Sequence, residues 1–175
     1  MPYDLDTVFK HVDDTLDESL ERLKTLLRIP SVSTDPAFDA EVLRCAQCAG
    51  DMLRELEMDV VVHETIGHPI VIARDEGPGT DDAPTFLFYG HYDVQPADPF
   101  DLWTSPPFEP AIRGNRLFGR GVADNKGPQI VHLTALARVL GKNPDLPLRI
   151  TYLIEGEEEV GSPSFKGFLE QYKGR

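Results

Sequence analysis

An α/β fold, with helices on both faces of a mixed, largely parallel sheet, is predicted for this 175-residue sequence from three observations. Stretches with helical apolar periodicity alternate with short β-like runs along the chain. The length suits one domain with a real core, and the apolar content of 41% and charged content of 27% are ordinary for a globular protein. No internal repeat or low-complexity segment interrupts the pattern.

Leu16, Leu20, Leu23 and Leu27 recur at steps of four and three, which places a helix over roughly residues 5–28. Pro30 and the polar stretch Ser31–Asp35 follow its end. A second helix spans Asp39 to about Glu57, with Val42, Ala46, Ala49, Leu53 and Leu56 on its apolar face. It contains both cysteines, Cys45 and Cys48. Without a second Cys/His pair at zinc-finger spacing, these read as small helix residues near a core face. Strands are predicted at Asp59–His63, Pro69–Ala73 and Thr85–Tyr89, the last two separated by the turn region EGPGTDDAP. From Pro96 to Pro110 the chain is proline-rich, but Phe100, Leu102, Trp103 and Phe108 give it the apolar weight of an ordered loop. Gly114–Asn115 turns a hairpin between Ile112 and Leu117. Pro128 suits the first turn of a third helix carrying Ile130, Leu133, Leu136, Ala137 and Leu140. Leu148–Ile154 is the strongest strand, and Ser162 with Pro163 predicts the cap and first position of a last helix.

The net charge of −13 argues against nucleic acid or an anionic membrane as partner, since both require basic patches. No apolar run has the length of a membrane span, and the acidic start MPYDLDTVFKHVDD has no signal pattern, so a cytoplasmic location is expected. The acidity reads either as solubility or as carboxylates clustered to hold cations, the latter covering only a few of the thirty acidic residues, and composition alone does not choose between the two.

Three places put charged groups directly after apolar strands, where ligands of open α/β sheets bind. In TFLFYGHYDV, an extended chain would point His91 and Asp93 to one side. Asp93 could then accept a hydrogen bond from the imidazole while the other ring nitrogen binds a metal; the alternative is a structural polar pair. In GRGVADNKGP, Asp124 lies in a glycine-rich loop without Walker spacing, suited either to bridging two cations or to capping the next helix. In LRITYLIEGEEEVGS, Glu155, Glu157, Glu158 and Glu159 crowd a strand end, with no Lys or Arg between Arg149 and Lys166. Such carboxylates raise one another's pKa unless something positive is present, though a solvated acidic turn also fits. One histidine and several carboxylates form a donor set suited to zinc or manganese.

The ordered elements GHYDVQP, WTSPPFEP, RLFGRGVADNKGP and EGEEEVGS resemble the dinuclear-metal peptidases that include carnosinase, cytosolic non-specific dipeptidase, aminoacylase and the bacterial desuccinylases. Asp93 and Asp124 are 31 residues apart and Asp124 and Glu158 34, and the likeness runs from about Leu26 to the end of the chain. WTSPPFEP and ADNKGP resemble the dipeptidase branch more than the desuccinylase branch. The resemblance implies two divalent ions, Zn2+ first with Mn2+ or Co2+ as alternatives, and hydrolysis of a small peptide or an N-acyl amino acid. It implies His91 and Glu159 as terminal metal ligands, Asp124 as bridging ligand, Asp93 as the residue orienting His91, and Glu158 as general base. It also implies a cis Asp124–Asn125 peptide. By the same resemblance, residues 1–175 are the N-terminal part of a zinc-peptidase-like catalytic domain. One further acidic ligand, one histidine and a lid and dimerisation domain would lie beyond Arg175, and the full-length form would be a homodimer. A metal-binding fragment without turnover is the alternative.

Overall fold

Helix α1 (Leu5–Leu27) crosses onto a four-stranded sheet only with its last turns, where Leu23, Leu26 and Leu27 are buried. Its earlier apolar residues Leu5, Phe9, Val12 and Leu16 are exposed, so the predicted stripe is core-facing over its second half alone. The computed structural model describes residues 5–77, 83–142 and 147–173, with side chains described outside 138–142. Residues 78–82 of the predicted turn region and the Leu140 side chain lie outside that description.

The remaining helices are α2 (Asp39–Arg54), α3 (Lys126–Lys142) and α4 (Phe165–Tyr172). The strands are β1 (Asp59–His63), β2 (Ile70–Asp75), β3 (Thr85–His91), β4 (Ala111–Arg113), β5 (Arg116–Phe118) and β6 (Arg149–Glu155). The main sheet has the order β1-β2-β6-β3. It is mixed, as the fold class requires, with antiparallel pairing at β1–β2 and β2–β6 and parallel pairing at β6–β3, rather than the expected parallel majority. Residues 64–69 are too few for the crossover a parallel neighbour needs, so β1 turns straight back into β2, whereas α3 lies in the connection from β3 to β6.

Strand alternation sends Val71, Ala73, Ile150, Tyr152 and Ile154 to one face, against Leu27 of α1, Val42, Cys45, Ala46 and Leu53 of α2, and Ile130 and Leu133 of α3. Ile70, Ile72 and Leu153 go to the other face, against Phe168 of α4. Helices therefore cover both faces. Cys45 is fully buried and both thiols are free; burial raises the pKa of Cys48 to about 11, so that thiol is not a ready thiolate.

Lys126 is buried, and its Nζ donates to the carbonyls of Leu26 (3.0 Å) and Ile29 (2.8 Å). It thereby ties the start of α3 to the end of α1, where carbonyls lack helical partners. Ser162 does not cap α4. It has a positive φ of 53°, its hydroxyl donates to Glu155, and the helix begins only at Phe165. The side chain is taken up by the strand-end glutamate and is not turned toward the helix. The β4–β5 hairpin turns at Gly114, whose φ of 61° suits glycine. Asp124–Asn125 is cis, as is Asp98–Pro99. Among the described residues no helix is long and apolar enough to cross a membrane.

Candidate metal centre

His91 and Glu155 are register partners at the ends of β3 and β6, so both strands deliver their next residues to the same rim of the sheet. After β6 the chain must pass over Tyr92: a Cβ on Gly156 would lie 2.2 Å from the Tyr92 hydroxyl, so only glycine lets this turn close. The turn leads into one 3-10 turn, Glu158–Val160. Asp124 arrives from a third direction, the loop before α3, which packs so closely on the start of that helix that a Cβ on Gly127 would meet the Val122 carbonyl at 2.0 Å.

The His91 ring is buried, and each of its nitrogens has a neighbour. Its Nδ1 lies 3.1 Å from the Asp93 carbonyl oxygen and 3.3 Å from Asp93 Oδ1. Because these neighbours are acceptors, Nδ1 carries a proton, and Nε2 is the nitrogen turned to the open side. Nε2 is 3.0 Å from Asp124 Oδ1 and 3.8 Å from Glu158 Oε2. The His91 amide donates to Asn125 Oδ1, and its carbonyl accepts from Gln129 Nε2. Asp93 has no exposed surface, and its carboxylate accepts from Ser33 Oγ at 2.6 Å, Glu159 N at 3.1 Å and Glu158 N at 3.3 Å.

The glutamate run divides in two. Glu155 and Glu157 are buried and occupied: Glu155 accepts from the Tyr89 and Ser162 hydroxyls, and Glu157 from the amides of His68 and Ser164. Glu158 and Glu159 face the opening, where Gln95 Nε2 donates to both the carbonyl and Oε2 of Glu159 at 3.0 Å. One ligand atom each from His91, Asp124 and Glu159 lies within 4.8 Å of the other two. Asp124 has a side-chain exposure of 73% and Glu158 of 45%, and among the described ion pairs each has only His91 as partner. No described hydrogen bond joins Asp124 to the start of α3.

The electrostatics call for positive charge. Burial lowers the pKa of His91, but the carboxylates of Asp93, Asp124 and Glu158 outweigh it and raise it to about 9. A proton on Nε2 thus holds the place that a divalent cation would fill with more charge. Imidazole nitrogen with carboxylate oxygens is also the donor set that Zn2+ and Mn2+ accept, so these residues fit such an ion.

Sequence reasoning placed His91, Asp93, Asp124, Glu158 and Glu159 at strand and loop ends, and the structure brings all five together. It missed Ser33, Gln95 and Gln129, which fix their neighbours. Ser33 lies in the uncharged start of the polar stretch that follows the first helix; Gln95 is within the motif GHYDVQP but carries no charge to mark it.

The structure thus places a histidine–carboxylate cluster at the strand ends of an α/β sandwich. Residues 87–175 match the peptidase family M20/M25/M40, and the chain belongs to that family. It is 34% identical to the human Beta-Ala-His dipeptidase over 98% of this chain and 36% of that protein. It is 32% identical to the Cys-Gly metallodipeptidase dug1 of Schizosaccharomyces pombe, over 97% of this chain and 37% of the relative. The crystal structure of human carnosine dipeptidase 1 superposes with a TM-score of 0.88 at 34% identity, covering 99% of this chain and 39% of that one. The chain thus spans little more than a third of the length of these relatives.

Proposed function

We propose that residues 1–175 are the N-terminal part of the catalytic domain of a metal-dependent dipeptidase. In this reading His91, Asp124 and Glu159 hold two divalent ions, Zn2+ first and Mn2+ or Co2+ as alternatives, with Asp124 shared between them. The observation that carries it is the convergence of three ligand atoms, from three separate segments, within 4.8 Å of one another. Bound ions would polarise the scissile carbonyl and make water acidic enough to attack at neutral pH.

The protein groups do the rest. Asp93 keeps the Nδ1 face of His91 engaged, so that only Nε2 is offered to the opening. Glu158 is partly exposed beside the ligand cluster, and among the described ion pairs its carboxylate has only His91 as partner, which suits a base that takes a proton from water and returns it to the leaving amine. The dipeptidase relatives support a small peptide as substrate, and we place the rest of the substrate site in the parts of the whole protein that this segment does not span.

The test is metal binding by single variants. Mn2+ or Zn2+ affinity of His91→Ala, Asp124→Ala and Glu159→Ala should each fall by at least the roughly 10–100-fold that even outer residues of a metal site command. Affinities equal to the parent's in all three would discard the centre.

A further inference from the structure

We propose that Ser33 is a positioning residue of this centre, acting through Asp93 to hold both the His91 ring and the Glu158–Glu159 backbone in place. The proposal rests on the metal-centre reading above. Its basis is a seam between two segments some sixty residues apart. Ser31 Oγ donates to the Tyr92 carbonyl at 2.6 Å, Val94 N donates to the Ser31 carbonyl at 2.9 Å, and Val32 and Val94, both buried, form an isolated parallel bridge. The next residue, Ser33, is thereby set beside Asp93, with its Oγ 2.6 Å from Asp93 Oδ2.

The partners of Asp93 are sorted between its two oxygens. Oδ2 takes Ser33 Oγ and Glu159 N, while Oδ1 takes Glu158 N and lies 3.3 Å from His91 Nδ1. A carboxylate has about four acceptor positions, so all are in use. Because the group can rotate about its Cβ–Cγ bond, anchoring Oδ2 determines where Oδ1 points. The Ser33 hydroxyl is the shortest of these contacts and the only one that comes from outside the centre's own segments. Its one described hydrogen bond is to Asp93 and not to His91, Asp124 or Glu159. Its main chain is held independently, with the Ser33 carbonyl 3.3 Å from His68 Nε2. Removing the hydroxyl should therefore release the carboxylate without releasing the loop.

The experiment compares the parent chain with Ser33→Ala, Ser33→Thr and His91→Ala. Binding of Mn2+ is followed through the loss of its free-ion EPR signal, and amide hydrogen exchange is measured without metal. Ser33→Ala should bind Mn2+ about 10–100-fold more weakly, and Ser33→Thr, which keeps the hydroxyl, should recover most of that loss. Without metal, the Glu158 and Glu159 amides should exchange faster in Ser33→Ala, while the Tyr152 amide in the middle of β6 stays protected as in the parent. A role in fold stability alone would lower the unfolding temperature of Ser33→Ala and leave Mn2+ affinity and these two amides unchanged. That result would overturn the proposal while His91→Ala still binds weakly. If His91→Ala binds Mn2+ as the parent does, the metal-centre reading falls and this proposal falls with it.

Discussion

Glu158 and Glu159 are chain neighbours with opposite surroundings. The Glu159 carboxylate belongs to the ligand cluster and is steadied by Gln95, whereas Glu158 stands 3.8 Å from His91 with nearly half of its side chain in solvent. In a protein carrying the whole centre, Glu158→Gln keeps the shape and removes the basic oxygen. Turnover should then fall by about 10²–10⁴-fold, with metal content nearly unchanged. Glu159→Gln should instead lower metal content, because a carboxylate ligand has become a weaker amide donor. Steady-state kinetics and metal analysis of the two variants check this, and the reverse pattern would shift the assignment by one residue. Within the run Glu155–Glu159 only the family resemblance singles out Glu158 and Glu159, whereas the charged positions themselves, with His91, Asp93 and Asp124, were legible in the sequence because charge placed close after a buried strand is costly unless it has a task. Their supports were not. Ser33 reaches Asp93 across sixty residues, and nothing local in Ser31–Asp35 distinguishes a hydroxyl that aims a carboxylate from one that ends a helix.

The secondary-structure elements were read most accurately where apolar periodicity is strong, as in α2, β1 and β6, and less well where a polar side chain had two candidate partners. Ser162 has the right residue type for a helix cap, yet the buried Glu155 takes its hydroxyl and α4 starts later. How α4 is held to the sheet gives a prediction at this scale. Tyr172 Oη lies 2.7 Å from His63 Nδ1, and the His63 ring packs against both Tyr172 and Phe168. Burial, with a smaller contribution from Arg74, lowers the pKa of His63 below its usual 6.5. The unfolded chain therefore binds a proton more readily than the folded one. The stability from neutral His63 is present above 6.5 and is lost as pH falls through the lower folded value. Melting temperatures of the parent and His63→Gln, measured between about pH 5 and 8, should diverge toward the alkaline end and converge toward the acid end. A constant difference across that range would mean that His63 does not sense pH in this packing.

For the molecule as a whole, a partial match in length meets a site whose described part is open on one side. The sheet ends at β3, whose Phe86, Leu87 and Tyr89 are exposed on a strand with no further neighbour among the described residues. Asp124 is mostly in solvent, and the cluster offers one imidazole and a few carboxylates, whereas the family resemblance assigns three protein ligands to each of two ions. On that assignment one ion keeps His91 and Asp124, and the other keeps Asp124 and Glu159. Metal affinity depends on ligand count, and carboxylates gathered at one rim repel one another when the cations that compensate them are weakly held. The 175-residue chain alone should therefore bind Zn2+ or Mn2+ weakly and show no appreciable peptidase activity, and its apolar edge should make it associate as concentration rises. Purified chain incubated with either ion and a panel of dipeptides and N-acyl amino acids tests the first part, and sedimentation over a concentration series tests the second. Turnover in the ordinary enzymatic range, on the order of 1–10³ per second, would show that these residues complete a working centre by themselves. Such a result would transfer the base and ligand roles assigned above directly to the isolated segment. A monomer that persists at high concentration would likewise show that β3 is protected from pairing.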